Sequence, residues 1–425
     1  MLLPDKRPED LAPAGLGALS EDTLAAAAKI VGDVRRDGEV ALRAHAERLG
    51  DLEPGAPLVL PRSHLESALE ELPADARGVL ERAAVRIRDF AERQRAALTD
   101  MEHTLPGGGG VLGHEVAPVS RAGCYAPGGR FPLPSTVLMT AVTARAAGVD
   151  EVWVASPRPA PVTLAAAALA EADGVVAVGG AQAIAAFAHG AGPIPACDAI
   201  VGPGNKWVTA AKQLVAGLVK IDMLAGPSEV LVIADDTADP KTVAADLLAQ
   251  CEHDVEARGL LVTPSEPLIL AVRAEIERQL ATLPTRKTAE PAARDHSAAV
   301  LVPSIEEACA VSNRVAPEHL EVITQDPEAL RPRLHHYGAL FLGEGAAEVL
   351  GDYGLGPNHT LPTGGTARSV GGLSVFDFLR VRTYMRLDGA PEAVFRDAAA
   401  FARLEGLEAH ARSAERRLGE SEPHP

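Results

Sequence analysis

The pattern of hydrophobic and polar positions divides the chain near residue 116. Before it, residues 20–103 have the apolar spacing of several charged amphipathic helices, and a glycine-rich break, LPGGGGVLGHE, follows. After it, short apolar runs such as EVWVAS, VVAVGG, DAIVGPG, EVLVIAD and GLLVTPS alternate with helical segments. Strands that alternate with helices of about 10–15 residues are typical of βαβ units. The pattern therefore predicts an α/β fold with parallel sheets.

The alternating part contains two such blocks, at about 121–229 and 230–372. The blocks are similar in architecture, but one sequence is too little to establish a repeat. The last segment, PEAVFRDAAAFARLEGLEAHARSAERRL, predicts a helical tail. A length of 425 residues is compatible with about two to four domains.

Composition narrows the class of protein. The formal net charge of −18 disfavours a surface for nucleic acid or anionic membranes, because both need clustered Lys and Arg. The start MLLPDKRPED lacks the features of a signal peptide, and no apolar stretch of about 20 residues is free of charge or glycine. The cysteines form no CxxC pair; they are Cys124, Cys197, Cys251 and Cys309. We therefore expect a reduced, cytoplasmic enzyme without a disulfide framework.

Glycine-rich turns after two predicted strands are candidates for nucleotide binding. The dinucleotide fingerprint GxGxxG is absent, but VGGAQAIAAF and VGPGNKW both place glycines where a strand gives way to a helix. Amides at such a helix start bind phosphate or ribose oxygens, and Gln182 and Asn205 add side-chain amides. Either turn alone is more often a tight βα connection, and the two together leave both interpretations open. Gly107 to Gly110 lack a following Lys-Ser/Thr, which favours a flexible turn over a phosphate loop.

The segment DLLAQCEHD ends a predicted helix that begins near Lys241. Gln250 and His253 are three residues apart and therefore share a helix face, whereas Cys251 points elsewhere. Histidine is a common zinc ligand and glutamine a rare one. Two interpretations stay open. The segment is either half of a metal site or a polar last turn in which the helix dipole favours His253.

The segment APEHL is a second unusual cluster. Pro317 is suited to the start of a helix, and Glu318 and His319 follow it. Adjacent side chains diverge, so the two would serve separate proton transfers near one substrate. An ordinary helix start with an acid in its first turn is the alternative.

The third cluster is GDYGLGPNHTLPTGG, which is rich in glycine and proline. Asp352 is a candidate oxygen ligand and His359 a candidate hydrogen-bond donor, in a loop of the kind that often carries function. Glu405 and His410, in the tail, have the pattern of ordinary helix-surface residues. Taken together, the clusters favour a metal-dependent enzyme over a binding module and identify no reaction.

Eight segments, taken together, closely resemble the histidinol dehydrogenase family. They are GCYAPGGRFPLPSTVLM, VGGAQAIAAFAHG, VGPGNKWVTAAK, KIDMLAGPSEVLVIAD, DLLAQCEHD, NRVAPEHLEV, GPNHTLPTGGTARSVGGLSV and EGLEAH. They occur in the family's order between residues 123 and 410. Eight segments in the same order identify a family far more specifically than any single segment does.

The resemblance implies NAD-dependent, four-electron oxidation of L-histidinol to L-histidine through L-histidinaldehyde, the last step of histidine biosynthesis. It implies one Zn²⁺ per subunit, with ligands that match Gln250, His253, Asp352 and His410. The catalytic pair matches Glu318 and His319. The NAD contacts match Tyr125, Gln182 and Asn205. The substrate contacts match Ser228, Gln250, His253, His319, Asp352, Glu405 and His410, and a further site residue matches His359.

The resemblance also implies two incomplete Rossmann-like parallel-sheet domains with helical amino- and carboxy-terminal extensions. The predicted division is an arm (1–20), a first domain (21–120 with 230–372), an inserted NAD domain (121–229) and a tail (373–425). The family is a homodimer whose tail reaches the partner's site. Shared active sites are therefore expected.

The two oxidations suggest roles for the catalytic pair. We assign His319 as the base that accepts the hydroxyl proton and Glu318 as the group that activates water for the aldehyde step. Zinc would act mainly as a template that holds the imidazole and amine of the substrate.

A metal-binding or regulatory protein that kept the fold but lost activity is one alternative, and the intact pair of Glu318 and His319 disfavours it. Two further alternatives compete with this hypothesis. One is a covalent thiohemiacetal at Cys251 or Cys124, which the outward direction expected for Cys251 disfavours. The other is a related zinc- and NAD-dependent dehydrogenase that acts on another small polyol. The residues that match the substrate end of the site argue for the imidazole substrate; they are His359, Glu405 and His410.

Overall fold

A computed structural model describes residues 1–13, 19–106, 108–128, 132–389 and 391–418. Parts of the predicted arm, of the glycine-rich break, of GCYAPGGRFPLPSTVLM and of the tail lie outside these residues. Two compact units are present: unit 1 consists of residues 1–95 with 118–378, and unit 2 of residues 96–117 with the described part of 379–425. Among the described helices, none has the length and apolar character needed to cross a membrane.

The strands include one in each of the five apolar runs that predict them, and also further strands that no predicted run marks. They are β1 (Val59–Pro61), β2 (Met101–Thr104), β3 (Gly110–Pro118), β4 (Arg121–Tyr125), β5 (Glu151–Ala155), β6 (Gly174–Val176), β7 (Ala199–Val201), β8 (Lys220–Ile221), β9 (Glu229–Ala234), β10 (Arg258–Thr263), β11 (Ala298–Leu301), β12 (His319–Ile323), β13 (Ala339–Leu342) and β14 (Leu379–Leu387).

Several helices begin at a side-chain cap of the type expected from sequence. Ser20, Asp239 and Ser304 each accept a hydrogen bond from a backbone N–H of the first turn that follows. The helices are α1 (Glu21–Asp37), α2 (Glu39–Leu49), α3 (Arg62–Glu71), α4 (Ala74–Ala96), α5 (Pro134–Val137), α6 (Thr143–Ala147), α7 (Pro161–Leu169), α8 (Gly180–His189), α9 (Lys206–Val215), α10 (Pro240–Cys251), α11 (Glu266–Leu280), α12 (Arg286–Pro291), α13 (Ile305–Val315), α14 (Glu348–Asp352), α15 (Glu392–Leu404) and α16 (Glu408–Glu415). A π-helical turn, Leu138–Val142, joins α5 to α6, and another, Ala292–His296, follows α12. Short 3₁₀ turns are Pro8–Asp10, Glu328–Arg333, Thr366–Arg368 and Val375–Phe378.

Unit 1 contains two sheets with one strand order in common. The first runs β1-β6-β5-β4-β7-β8 and the second β11-β10-β9-β12-β13. Every pair is parallel except that of β1 with β6. If β1 is set aside, both sheets read third, second, first, fourth, fifth strand, as in doubly wound folds. The predicted pair of Rossmann-like sheets is confirmed, and the two blocks share a topology that their residues alone did not establish.

The core of the first sheet packs many small residues around the fully buried ring of Phe187. Phe187 of α8 is fully buried beneath β4 together with alanines of α8 and α9. Gly123 gives the ring its space, because a Cβ at Gly123 would lie 2.5 Å from a Phe187 ring atom. With aromatics at only 3% of the chain, close approach of alanine-lined helices to the sheets supplies the burial that larger rings provide elsewhere.

The structure differs from the predicted domain division for β1, α1 and α3. The prediction places residues 21–120 with residues 230–372. Instead β1 pairs with β6, α1 packs on α8 and α9, and α3 packs on α7, so they join the sheet of 121–221. Amphipathic spacing identifies the apolar face of a helix but not the sheet that this face meets. The other boundaries stay predictions.

Unit 2 is small and largely exposed. Its sheet has the order β14-β3-β2, and β2 and β3 pair antiparallel. Gly108 and Gly109, both with positive φ, lie in the turn between these strands, which agrees with a hairpin turn there; Gly107 lies outside the described residues. The helices α15 and α16 pack on each other. The predicted helical tail is thus confirmed for its described part.

Candidate active site

The end of α10 supplies the first two predicted metal ligands. The helix ends at Cys251, so His253 lies in the following turn and not on the helix as predicted. The Gln250 side chain is fully buried, and neither its oxygen nor its nitrogen has a hydrogen-bond partner. His253 is half-exposed, with Nε2 3.5 Å from Oδ2 of Asp352. A buried amide without partners is costly, which indicates that a ligand completes its bonding.

Glu318 and His319 lie at the start of a strand, which corrects the predicted helix start. Helix α13 ends at Val315, and Ala316 has a φ of 52°, so the chain turns before Pro317 and enters β12. The strand is buried between β9 and β13, and the β-branched residues Val322 and Ile323 at its end favour the extended conformation. Both side chains therefore project from the amino end of a central strand, and both are buried.

The surroundings of the His319 ring determine which nitrogen carries the proton. Nδ1 lies 3.2 Å from the backbone oxygen of Glu229 and 3.4 Å from Oε1 of Glu348. A carbonyl oxygen only accepts, so Nδ1 donates to Glu229 and the neutral ring has its lone pair on Nε2. Nε2 faces Asp352, with Oδ1 at 3.9 Å. The nitrogen able to take a proton thus points toward the predicted metal ligands.

Burial shapes the charge state of this cluster. Desolvation lowers the pKa of His319 to about 4 and also lowers the pKa of His359. Desolvation raises the pKa of Glu318 well above its usual value, although the Glu229 N–H, 2.9 Å from Oε2, opposes this. The hydrogen bond to Asp352 raises the pKa of His253. A divalent cation among these groups would lower the pKa of each carboxyl, because positive charge favours carboxylate.

Glu348 is a site residue that sequence reasoning missed. It begins α14, is buried, and has one carboxyl oxygen without a partner. Ligand atoms of His253, Glu348 and Asp352 all lie within 4.8 Å of one another. Imidazole nitrogen and carboxylate oxygen are ligands that Zn²⁺ accepts, so this donor set, with the orphaned Gln250 amide, fits a metal ion.

Asp352 and His359 lie on either side of a tight connection. Asp352 is the last residue of α14, so it belongs to a helix end and not to the loop predicted from its glycines. Its backbone oxygen is 3.0 Å from Nδ1 of His359, and Nε2 of His359 is 3.3 Å from Oγ1 of Thr136. Next to it, the Asn358 side chain donates to the carbonyl of Met139 at 2.8 Å. Met139 belongs to the π turn, so a widened helical turn receives the loop.

The predicted NAD residues lie at the carboxyl edge of the first sheet. Tyr125 ends β4, and its hydroxyl accepts from the Gly180 N–H at 3.1 Å. Gln182 is buried in α8, with Nε2 2.8 Å from Asp51 and Oε1 unpartnered. Asn205 caps α9 by accepting from two backbone amides. Because β4 and β7 are neighbours at the point where strand order reverses, Tyr125 and Asn205 flank the crevice where such sheets bind nucleotides.

The remaining predicted substrate residues are divided between the units. Ser228 directly precedes β9, and its backbone oxygen accepts from Arg258. Glu405 follows α15 and His410 lies in the first turn of α16; both belong to unit 2 and are exposed. Their part in the site stays a prediction.

Comparison with known proteins identifies the family. The family described as histidinol dehydrogenase matches residues 18–418. The histidinol dehydrogenase of Chromobacterium violaceum is 45% identical over 406 residues, which cover 94% of this chain and 93% of the relative. That of Geobacillus kaustophilus is 44% identical and covers 95% and 96%. The crystal structure of histidinol dehydrogenase from Elizabethkingia anophelis superposes with a TM-score of 0.86 at 33% identity, over 94% of this chain and 93% of the other.

The chain belongs to the histidinol dehydrogenase family. The site departs from the usual rule for doubly wound folds, in which ligands bind at the carboxyl edge. Glu318 and His319 instead start β12, and Ser228 precedes β9, at the amino edge of the second sheet. The segment between β8 and β9 therefore runs from the carboxyl edge of the first sheet to the amino edge of the second.

Proposed function

We propose that the protein oxidises L-histidinol to L-histidine with NAD as the oxidant, by way of L-histidinaldehyde. Membership of the family supports the reaction, and it favours histidinol over another polyol. The single observation that carries the proposal is the buried pair Glu318 and His319, with Nε2 of His319 directed toward Asp352. A base next to metal ligands is the arrangement that oxidation of a metal-held alcohol requires.

A zinc ion is part of the proposal, held by Gln250, His253, Asp352 and His410. Support comes from the unpartnered Gln250 amide and from the convergence of His253 and Asp352 with Glu348. When bound, zinc supplies a fixed template for the substrate's nitrogen donors, and NAD supplies the hydride acceptor.

The protein's own residues handle the protons. His319 accepts the hydroxyl proton at Nε2, because Nδ1 is already committed to the Glu229 carbonyl. Glu318 activates the water that adds to the aldehyde, and His319 takes a proton again in the second oxidation. The Glu229 N–H holds one oxygen of Glu318, which leaves the other oxygen for water.

A covalent thiohemiacetal is a poor fit to the thiols. Cys251 packs against Ser297, with Sγ 3.5 Å from Oγ, and burial raises its pKa to about 11. Burial raises the pKa of Cys124 to about 12. The nucleophile in such chemistry is the thiolate, and both thiols stay protonated near neutral pH.

The proposal includes a homodimer in which Glu405 and His410 serve the partner's site. The exposure of both side chains, in a unit with large exposed apolar groups such as Phe401 and Leu404, supports this part.

The reaction is tested by counting NADH formed per L-histidinol consumed. We expect a ratio of about two, because one carbon gives up two hydrides. A chelator should abolish turnover and added Zn²⁺ should restore it. Absence of turnover with histidinol would refute the proposal, and a ratio of one would refute the second oxidation.

The role of Glu318 is tested by Glu318→Gln. We expect oxidation of the aldehyde to slow by about 10²–10⁴-fold, as for loss of a general base, and oxidation of the alcohol to slow less. Single-turnover measurements with each substrate separate the steps. Equal losses in both steps would contradict the assignment.

A further inference from the structure

A buried ion pair holds the turn between β7 and α9. The ammonium of Lys212 on α9 and the carboxylate of Asp222 after β8 are in direct hydrogen-bonded contact, and their side chains are 3% and 0% exposed. Such pairs are rare, because two charges must leave water together. Each member of the pair also forms a hydrogen bond to the backbone of Gly202.

Both backbone polar groups of Gly202 form hydrogen bonds to this ion pair. Its N–H donates to Oδ2 of Asp222 at 2.7 Å, and its carbonyl accepts from Nζ of Lys212 at 3.0 Å. Gly202 has a φ of 117°, and a Cβ there would lie 2.0 Å from the backbone oxygen of Tyr125. The ion pair thus presses the turn against Tyr125 and orients the start of α9, where Asn205 forms the cap.

Asp222 is also the first residue of a connector, residues 222–228, which leads to the start of β9 on the proposed substrate side. Asp222 also accepts from the Met223 N–H at 2.7 Å. Thr209 of α9 donates to the Ala225 carbonyl at 2.9 Å, and the Gly226 N–H donates to Thr363 at 2.6 Å. The connector ends at Ser228, which precedes β9. A shift of Asp222 would therefore move the cofactor turn relative to the substrate side.

We propose that Lys212 and Asp222 are positioning residues for NAD: their buried ion pair holds the 202–205 turn in the conformation that binds the nucleotide. The inference rests on the proposed function, since it assigns NAD to this turn. Neither side chain touches the reacting atoms. Their effect is on cofactor affinity and on the alignment of cofactor with substrate.

The test compares Lys212→Met with a matched variant, Arg145→Met. Both residues lie on helices that belong to the first sheet's block. Arg145 forms an ion pair with Asp173 at 2.7 Å, and Asp173 accepts from the N–H of Val152 near the amino end of β5, the edge opposite the cofactor turn. Both substitutions remove a mostly buried cation and are expected to lower thermal stability. Only Lys212→Met lies on the cofactor side.

For Lys212→Met we expect the KM for NAD, and the Kd for NAD from calorimetry, to rise about tenfold or more. The KM for histidinol and the zinc content should stay within about twofold, because the ion pair lies apart from the reactive groups. Arg145→Met should leave both NAD constants within about twofold. Asp222→Asn, which keeps the shape of the side chain, should weaken NAD binding in the same direction even if Lys212→Met does not fold.

Unchanged NAD binding in the folded Lys212 and Asp222 variants would overturn the inference, as would an equal loss in Arg145→Met. If the wild-type protein binds NAD but does not oxidise histidinol, only the proposed function is refuted. The inference about the ion pair is then still tested by the Kd for NAD, which calorimetry measures without turnover. Wild-type protein that binds no NAD would refute both.

Discussion

Glu348 is the single residue that adds most to the site beyond its predicted members. Its carboxyl lies 3.4 Å from Nδ1 of His319 and within 4.8 Å of ligand atoms of His253 and Asp352, so one side chain lies close to both the proposed base and two proposed metal ligands. A carboxylate in this place orients the imidazole and supplies negative charge for a cation.

We expect Glu348→Gln to weaken zinc binding by about 10–100-fold, as is usual when a partner of metal ligands is lost. Competition with a chromophoric chelator measures the affinity directly, without turnover. Glu344→Gln is the matched control, because Glu344 is an exposed acid in the turn that precedes α14. Equal affinities for wild type and Glu348→Gln would show that the carboxylate has no part in holding the metal.

Single residues also show where prediction from sequence ends. The segments DLLAQCEHD and APEHL mark Gln250, His253, Glu318 and His319 because amide, imidazole and carboxyl groups crowd into a few positions. Glu348 stands in EVLGD, where an acid in the first turn of a helix is ordinary. Only the packing of α14 beside β12 makes it a site residue, and a one-dimensional pattern carries no signal for that contact.

At the scale of elements, the fit of α8 beneath β4 depends on the pairing of Gly123 with Phe187. Periodicity predicts five of the parallel strands, β5, β6, β7, β9 and β10, but not β4, β8, β11, β12 or β13. The sequence does not predict which helix face packs on which strand, because all the apolar faces have the same hydrophobic character. The same limit explains why α1 and α3 were placed with the wrong sheet.

We expect Gly123→Ala to destabilise the protein by about 1–3 kcal/mol, because the new methyl group overlaps the Phe187 ring. Urea unfolding measures the change. In a Phe187→Leu background the same substitution should lower the free energy of unfolding by less, and a double-mutant cycle measures this difference. Gly32→Ala, in open space on α1, is the control and should stabilise slightly. Additive effects of Gly123→Ala and Phe187→Leu would contradict the proposed contact.

At the scale of the whole molecule, the proposed function gives two residues of unit 2 a role in a partner subunit. Family resemblance, and not spacing, assigns Glu405 and His410 to the site. Their exposed positions on or beside short helices give no local sign of a function. Assembly of subunits is a property that no single-chain pattern encodes.

Subunit mixing tests the shared site. Glu318→Gln and His410→Ala dimers, each inactive, should regain about a quarter of wild-type activity after dissociation and random reassociation, because half the dimers are mixed and each mixed dimer has one intact site. NADH production reports the recovery. Mixing Glu318→Gln with His319→Ala, which damage the same side of the site, should restore nothing. Failure of the first mixture would argue that His410 serves its own subunit.

The π turn at Leu138–Val142 has a consequence for the history of the chain. It holds one more residue than an α-helical turn of the same height, and its Met139 carbonyl receives Asn358 while Thr136, just before it, meets His359. Loss of a single residue there would rotate α5 by about 100° relative to α6 and carry Thr136 away from the loop. Length changes are therefore expected to be excluded from residues 134–147 in active relatives.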